Sequence, residues 1–258
     1  MKRLREAWFE FKGQRSDEMG IMLKQMPVRS AAGRRIERKN ISGRDGTLAY
    51  GGGEYKDAKV RLEFDMRDET RIAEVMGWLS GSGRLRFSDE TEYEYQASVE
   101  SEFSRSSIQP RLSGQRFSVT WTCQPFRYRH LDDEDEDNFV ITKSGEMFYN
   151  PGTAPSLPRV EVRGSGDFSL SIGGQTTWFT DVESSGAAGS GIIIDSELGD
   201  ALTLDGAQLA NHKMDGELFK LQPGPNAVSW ATGGEDDEGN PTQGRVESVI
   251  ITPRWRYL

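Results

Sequence analysis

Six consecutive acidic residues, Asp132 to Asp137, divide this chain into two glycine-punctuated, β-rich stretches of similar length. A run of this kind has no way to bury its charges, and like-charge repulsion extends it, so it reads as a solvated linker or loop. Each flank, at roughly 125 residues, is long enough to bury about two thirds of its unfolded surface. The expected domains are therefore residues 1–131 and 138–258. Twenty-nine glycines against ten prolines point to many turns and to a mainly β architecture.

In the first stretch, Trp8, Phe9 and Phe11, then Gly20 to Val28, read as two short strands around the polar turn GQRSDE. Val60, Leu62, Phe64 and Met66 alternate with Arg61, Glu63, Asp65 and Arg67, the pattern of a half-buried strand. Asp68 offers a helix N-cap, Ile72, Val75, Met76 and Leu79 recur at helical spacing, and Gly81 ends the helix. This is the one helix the pattern predicts, with its apolar face directed at a core. Strands resume at Leu85 to Phe87, Tyr93 to Val99 and Phe117 to Cys123, and Pro125 is expected to stop the last ladder.

Between Pro27 and Asp57 the pattern breaks. The segment has Gly33, Gly43, Gly46 and Gly51 to Gly53, basic side chains, and only scattered apolar ones. About thirty weakly patterned residues are long for a loop inside a compact domain. The segment reads either as a mobile surface hairpin or as an arm that orders on a neighbour. Its apolar residues Ile36, Ile41, Leu48, Tyr50 and Tyr55 are too scattered to anchor a core of their own, and gain most by burial against another surface.

Past the acidic run, Asn150, Pro151 and Gly152 form a turn. Short strands are predicted at Arg159 to Val162, Asp167 to Ile172, Gln175 to Thr180, Gly191 to Asp195, Ala201 to Leu204, Leu218 to Leu221, Ala227 to Trp230 and Val246 to Thr252. Such a series, with no helical period in it, predicts a β-sandwich.

The net charge of -9 conceals an asymmetry: residues 1–45 hold 12 Lys and Arg against 6 Asp and Glu, and the remainder 20 against 35. This balance argues against nucleic acid as a ligand, while the basic start can meet an acidic partner, another copy included. No apolar run approaches the roughly 20 residues of a membrane span, and the start MKRLREAWFEF lacks a signal-peptide core, so a soluble protein made in a cytoplasm is expected. The single cysteine, Cys123, fits a reducing compartment and reads as a buried small hydrophobe. The two histidines, His130 and His212, have no nucleophile motif beside them. Asp195, Glu197, Asp200 and Asp205 raise glycosidase or calcium chemistry, but they fit no EF-hand spacing and read as solvated turn acids. Glu235 to Glu238 form a second acidic loop, and Gly51 to Gly53 is no phosphate loop because no Lys and Ser or Thr follow. No catalytic residue, metal ligand or cofactor is expected. Trp178 and Trp230 would stack on sugar rings if exposed, the basis of an alternative lectin-like, carbohydrate-binding reading, although their apolar context favours the core.

Several motifs resemble one family in order along nearly the whole chain. They are WFEFKGQRSDEMGIML, GRDGTL, KVRLEFDMRDETRIAEVMGWLSGSGRLRF and FSVTWTCQPFRY, then NPGTAPSLPRVEVRGSGDFSLSIGG, IIIDSE, LQPGPNAVSW and ITPRWRYL. Together they resemble the distal tail proteins (Dit) of long-tailed bacteriophages and related prophages. The resemblance implies a non-enzymatic virion protein of the tail tip or baseplate. Its N-terminal β domain would build a homohexameric ring, with a C-terminal galectin-like β-sandwich attached outside. It also implies that Pro27 to Asp57 is a belt clasping the adjacent subunit, with Ile36, Ile41, Leu48, Tyr50 and Tyr55 at that interface. The implied partners are further copies of the chain, the major tail tube protein, the tape measure protein, and a tail fibre or lysin linked to host attachment. Neither nucleic acid nor membrane insertion is among them.

Overall fold

The computed structural model describes residues 7–66, 68–99, 104–107, 115–131, 137–183, 189–234 and 242–258. The chain divides into two compact units, residues 1–130 with Leu258 and residues 131–257. Both are built on antiparallel sheets, and among the described residues no helix is long and apolar enough to cross a membrane.

The first unit contains β1 (Phe9–Phe11), β2 (Gln14–Arg15), β3 (Ile21–Leu23), β4 (Glu37–Asn40), β5 (Thr47–Tyr50), β6 (Ala58–Met66), α1 (Ile72–Trp78), β7 (Gly81–Phe87), β8 (Glu90–Val99), β9 (Ser104–Ser107) and β10 (Gln115–Arg129). Its main sheet runs β2-β1-β7-β8-β10-β6-β3, with β9 also on β10. The alternation of β6 and β10 sets their pairing: Val60 opposes Trp121, Leu62 opposes Val119, and Phe64 opposes Phe117, all buried on one face. A one-residue slip would turn both apolar rows to water, so burial selects this register.

A 3-10 turn, Glu69–Arg71, leads into α1, and the Asp68 carboxylate accepts the Thr70 N–H at 3.0 Å. Val75 and Leu79 are buried, whereas Met76, expected on the apolar face, is 40% exposed. The helix has only seven residues, and Trp78 takes up the inward stripe instead. The Trp78 ring stacks on Phe9 at 5.5 Å, and its Nε1 donates to the Phe11 carbonyl at 2.9 Å. Pro125 does not end β10. It lies in a register shift between Cys123 and Arg127, a bulge where no ladder N–H is needed.

The second unit contains β11 (Phe139–Ile141), β12 (Glu146–Asn150), β13 (Arg159–Ile172), β14 (Gln175–Val182), β15 (Gly191–Asp195), β16 (Asp200–Thr203), β17 (Met214–Gly216), β18 (Gly224–Thr232) and β19 (Gly244–Thr252). The two strands expected at 159–162 and 167–172 are one, β13. Its first half pairs with β19 and β15, and its second half with β14 and β18. It thereby passes from a β11-β19-β13-β15-β16 layer into a β12-β18-β13-β14-β17 layer.

Glycine makes this crossing possible. A Cβ on Gly164 would overlap the Arg245 carbonyl oxygen, and one on Gly244 the Asp167 carbonyl. The inward residues of β13, Val160, Val162, Phe168, Leu170 and Ile172, hold the centre of the core with Phe179, Ile194, Val228 and Ile251. Leu218 to Leu221 is not a strand: Phe219 and Leu221 are buried, but Leu221 makes only an isolated bridge to Ser156, and β17 pairs with β14 in its place. β12, unlooked for in the sequence, ends at Asn150, whose buried amide donates to the Leu221 carbonyl at 3.0 Å and accepts the Gly152 N–H at 2.7 Å.

Candidate functional site

The segment between β3 and β6 leaves the main sheet of the first unit and returns to it as an antiparallel ribbon. Arg29 fixes its start: the guanidinium lies over the Phe87 ring at 4.7 Å and donates to Asp89 at 2.9 Å. The two legs close at Arg34 and Tyr55, where Arg35 N–H donates to the Glu54 carbonyl at 2.7 Å and Lys56 N–H to the Gly33 carbonyl at 2.8 Å. Tyr55 is the keystone of this root. It carries the Arg34 guanidinium on one side at 4.6 Å and meets Phe126 of β10 edge-on at 5.4 Å.

Beyond the root, β4 and β5 pair with Glu37 opposite Tyr50, Arg38 opposite Ala49, Lys39 opposite Leu48, and Asn40 opposite Thr47. Every residue of both strands is exposed. Opposed residues of an antiparallel pair share a face. Tyr50 and Leu48 therefore stand on one face with Glu37 and Lys39, and Ala49 and Thr47 stand on the other. Ile36, Ile41, Leu48 and Tyr50 are 50%, 41%, 37% and 50% exposed. A hydrogen bond to the Glu37 carboxylate holds the Tyr50 hydroxyl above the usual phenol range. A two-stranded ribbon with no covered face is marginal in water by itself.

No known family model matches the sequence, and no curated protein matches it. Among solved structures the chain is similar to the SPP1 Dit (gp 19.1) protein, which is described as a paradigm of hub adsorption apparatus in Gram-positive infecting phages. The match has a TM-score of 0.68 at 13% sequence identity and covers 95% of this chain and 97% of that one. The fold is Dit-like. Coverage of nearly both whole chains means that the likeness is not carried by one unit alone.

Elsewhere in the Dit-like fold, the other candidate residues take different places. Asp195, read as a solvated turn acid, is buried, and Arg254 holds both of its oxygens. It also accepts the N–H groups of Glu197 at 3.0 Å and Leu198 at 3.1 Å. Burial pushes its carboxyl up, but the Arg254 guanidinium and the two N–H groups outweigh that and hold it below the usual carboxylate range. Asp205 accepts the Thr203 hydroxyl at 2.6 Å and the Ala207 N–H at 3.0 Å, and Asp200 accepts the Asn211 amide at 2.9 Å. These carboxylates serve turns and an ion pair. Glu235 to Glu238 lie outside the described residues, as do the acids from Asp132 to Glu136.

Cys123 is buried, and burial pushes its thiol up to about 12. His130 Nδ1 lies 3.1 Å from Glu94. Of the two tryptophans expected in the core, Trp230 is partly buried against it, but Trp178 is 50% exposed. Trp178 and Phe179 are adjacent in β14, so only one of the pair can point inward, and Phe179 takes the inner face against Phe168 at 5.1 Å.

Proposed function

We propose that this chain is a structural hub of the distal tail of a long-tailed phage or prophage. In this reading the first unit closes a homohexameric ring and the 27–57 arm clasps the adjacent copy. The observation that carries it is the ribbon of β4 and β5, exposed on both faces, within a fold similar to a hub protein. Charge supports the choice of partner. Seven of the chain's 32 Lys and Arg, but only four of its 41 Asp and Glu, fall between Pro27 and Asp57. A basic arm on an acidic chain favours head-to-tail contact between copies, and a closing rotation turns such contact into a ring.

The ring would join the tail tube and tape measure to a tail fibre or lysin and the receptor-binding apparatus, placing the protein at the tail tip. Its role is non-enzymatic, since neither Asp195 nor Cys123 is placed as a general acid, base or nucleophile. An obligate interface of this type is expected to bury on the order of 2,000 Å² or more. Deleting residues 31–53 tests the reading: both units should stay folded while light scattering shows the hexamer lost. A deleted form that remains hexameric refutes the arm's role, and an intact chain that stays monomeric at high concentration and with its tail tube partner refutes the ring.

A further inference from the structure

We propose that the outward face of the β12-β18-β13-β14 layer in the second unit binds a neutral glycan chain. The inference is independent of the hub reading. Met147 and Tyr149 stand at one corner of this face, 70% and 65% exposed, and Trp178 at the opposite corner, 50% exposed. The pairing fixes what lies between. Tyr149 opposes Pro225 and Met147 opposes Ala227; Ser171 opposes both Ser229 and Thr176; and Trp178 reaches Ala231 through Ser169. Three strand spacings across and about six residues along separate the corners, so the bulky side chains flank a floor of small ones over roughly 25 Å.

Charge selects the class of ligand. In a chain that is 28% charged, no outward position of 147–149, 169–171, 176–180 or 225–231 is Asp, Glu, Lys or Arg. Among the described residues, the acids beside it include Asp215, opposite Trp178 on β17, and Asp181 at the end of β14. An anionic polymer or nucleic acid finds no counter-charge here, and an uncharged ligand loses no ion hydration on binding.

The arrangement also separates a glycan from a protein partner. A protein interface has an apolar centre and a polar rim. This face has the reverse, with hydroxyls and small residues at its centre and its large apolar side chains at the corners. Ser and Thr hydroxyls each donate and accept, matching a ligand whose own groups are hydroxyls. The electron-rich face of an exposed indole attracts the weakly positive C–H edge of a pyranose ring, while its edge remains wet.

The test uses the intact protein and four probes: dextran, laminarin and a β-galactan as neutral polymers, and hyaluronate as a charged control. Affinity electrophoresis screens them, and calorimetry with an oligosaccharide of the bound polymer removes multivalency. At least one neutral polymer should retard the protein while hyaluronate does not. Trp178→Ala should weaken binding about ten-fold or more, Trp178→Phe should keep most of it, and Ser229→Lys on the floor should abolish it. Equal melting temperatures for the variants exclude unfolding as the cause. Retention of none of the neutral polymers overturns the proposal, as does undiminished binding by Trp178→Ala. A Trp178→Ala variant whose only change is reduced self-association in light scattering makes the face a protein interface instead. Deletion of residues 31–53 should leave oligosaccharide affinity unchanged, so the glycan and hub readings fail separately.

Discussion

Arg254 grips Asp195 across 59 residues of sequence with both terminal guanidinium nitrogens, at 2.7 and 2.8 Å. It does so from a left-handed backbone, φ 51°, that a non-glycine residue seldom adopts. The same guanidinium reaches Glu197 at 3.3 Å, which ties the β15–β16 turn to the segment after β19. Asp195 is buried, whereas Arg254 is partly exposed and keeps Glu197. Asp195→Ala removes the pair and leaves the Glu197 and Leu198 N–H groups without their acceptor. It should therefore destabilise the protein by about 2 kcal/mol, read from chemical denaturation.

The pair also sets a pH dependence. Asp195 titrates below its ordinary range when folded. Its contribution is therefore full above the unfolded pKa, about 3.9, and is lost as pH falls through the lower folded value. The stability difference between the native protein and Asp195→Asn should be constant from pH 7 to about 5 and shrink steadily below about 4. A difference that grows on acidification would contradict the assignment.

Gly244 and Gly174 separate two reasons for glycine. At Gly174, φ is +86° but no atom lies within 4 Å of where a Cβ would stand, so Gly174→Ala should cost about 1–2 kcal/mol, through backbone strain alone. At Gly244 an added methyl would sit on the Asp167 backbone where β13 changes layers. Gly244→Ala should cost more than about 3 kcal/mol or prevent folding. Comparable denaturation midpoints for the two variants would show that the crossing tolerates a side chain.

Cys123 should be inert while the protein is folded. Only the thiolate reacts, and this thiol is both buried and pushed up to about 12. A thiol reagent at pH 8 should label it at the rate of global or local unfolding, and at once in denaturant. Rapid stoichiometric labelling of the native protein would mean that β10 opens beside the Pro125 bulge.

In the arm, Leu48 and Tyr50 share one face of the ribbon. Leu48→Asp should leave subunit stability within about 0.5 kcal/mol, as expected of an exposed site, while lowering the fraction of the proposed hexamer in light scattering. Ala49→Asp on the opposite face should lower it less. If the basic arm meets an acidic neighbour as proposed, assembly should also weaken between low and high salt.

The strands of the first unit were legible because Val60 to Met66 and Phe117 to Cys123 alternate strictly, and a period of two can satisfy only one buried face. The helix was legible from Ile72, Val75 and Leu79 behind the Asp68 cap. The same rule misled at Leu218 to Leu221, where Phe219 and Leu221 are buried in alternation without a ladder, because alternation reports burial and not hydrogen bonding. It was silent on β11 and β12, which are short and begin close to polar turns.

Local pattern by itself determined the strictly alternating strands of the first unit, where the helix begins, and that residues 27–57 have no core of their own. Those properties follow from side-chain period, capping and composition, which act over a few residues. Tertiary structure alone decided that Phe179 and not Trp178 turns inward, that Asp195 is a buried ion-pair partner, and that β13 is one strand serving two layers. Each of these depends on what a distant segment brings: Phe168 for Phe179, Arg254 for Asp195, and the bare backbone of Gly244 for β13. No short-range pattern carries that information, because the deciding energies are packing and desolvation between residues far apart in sequence.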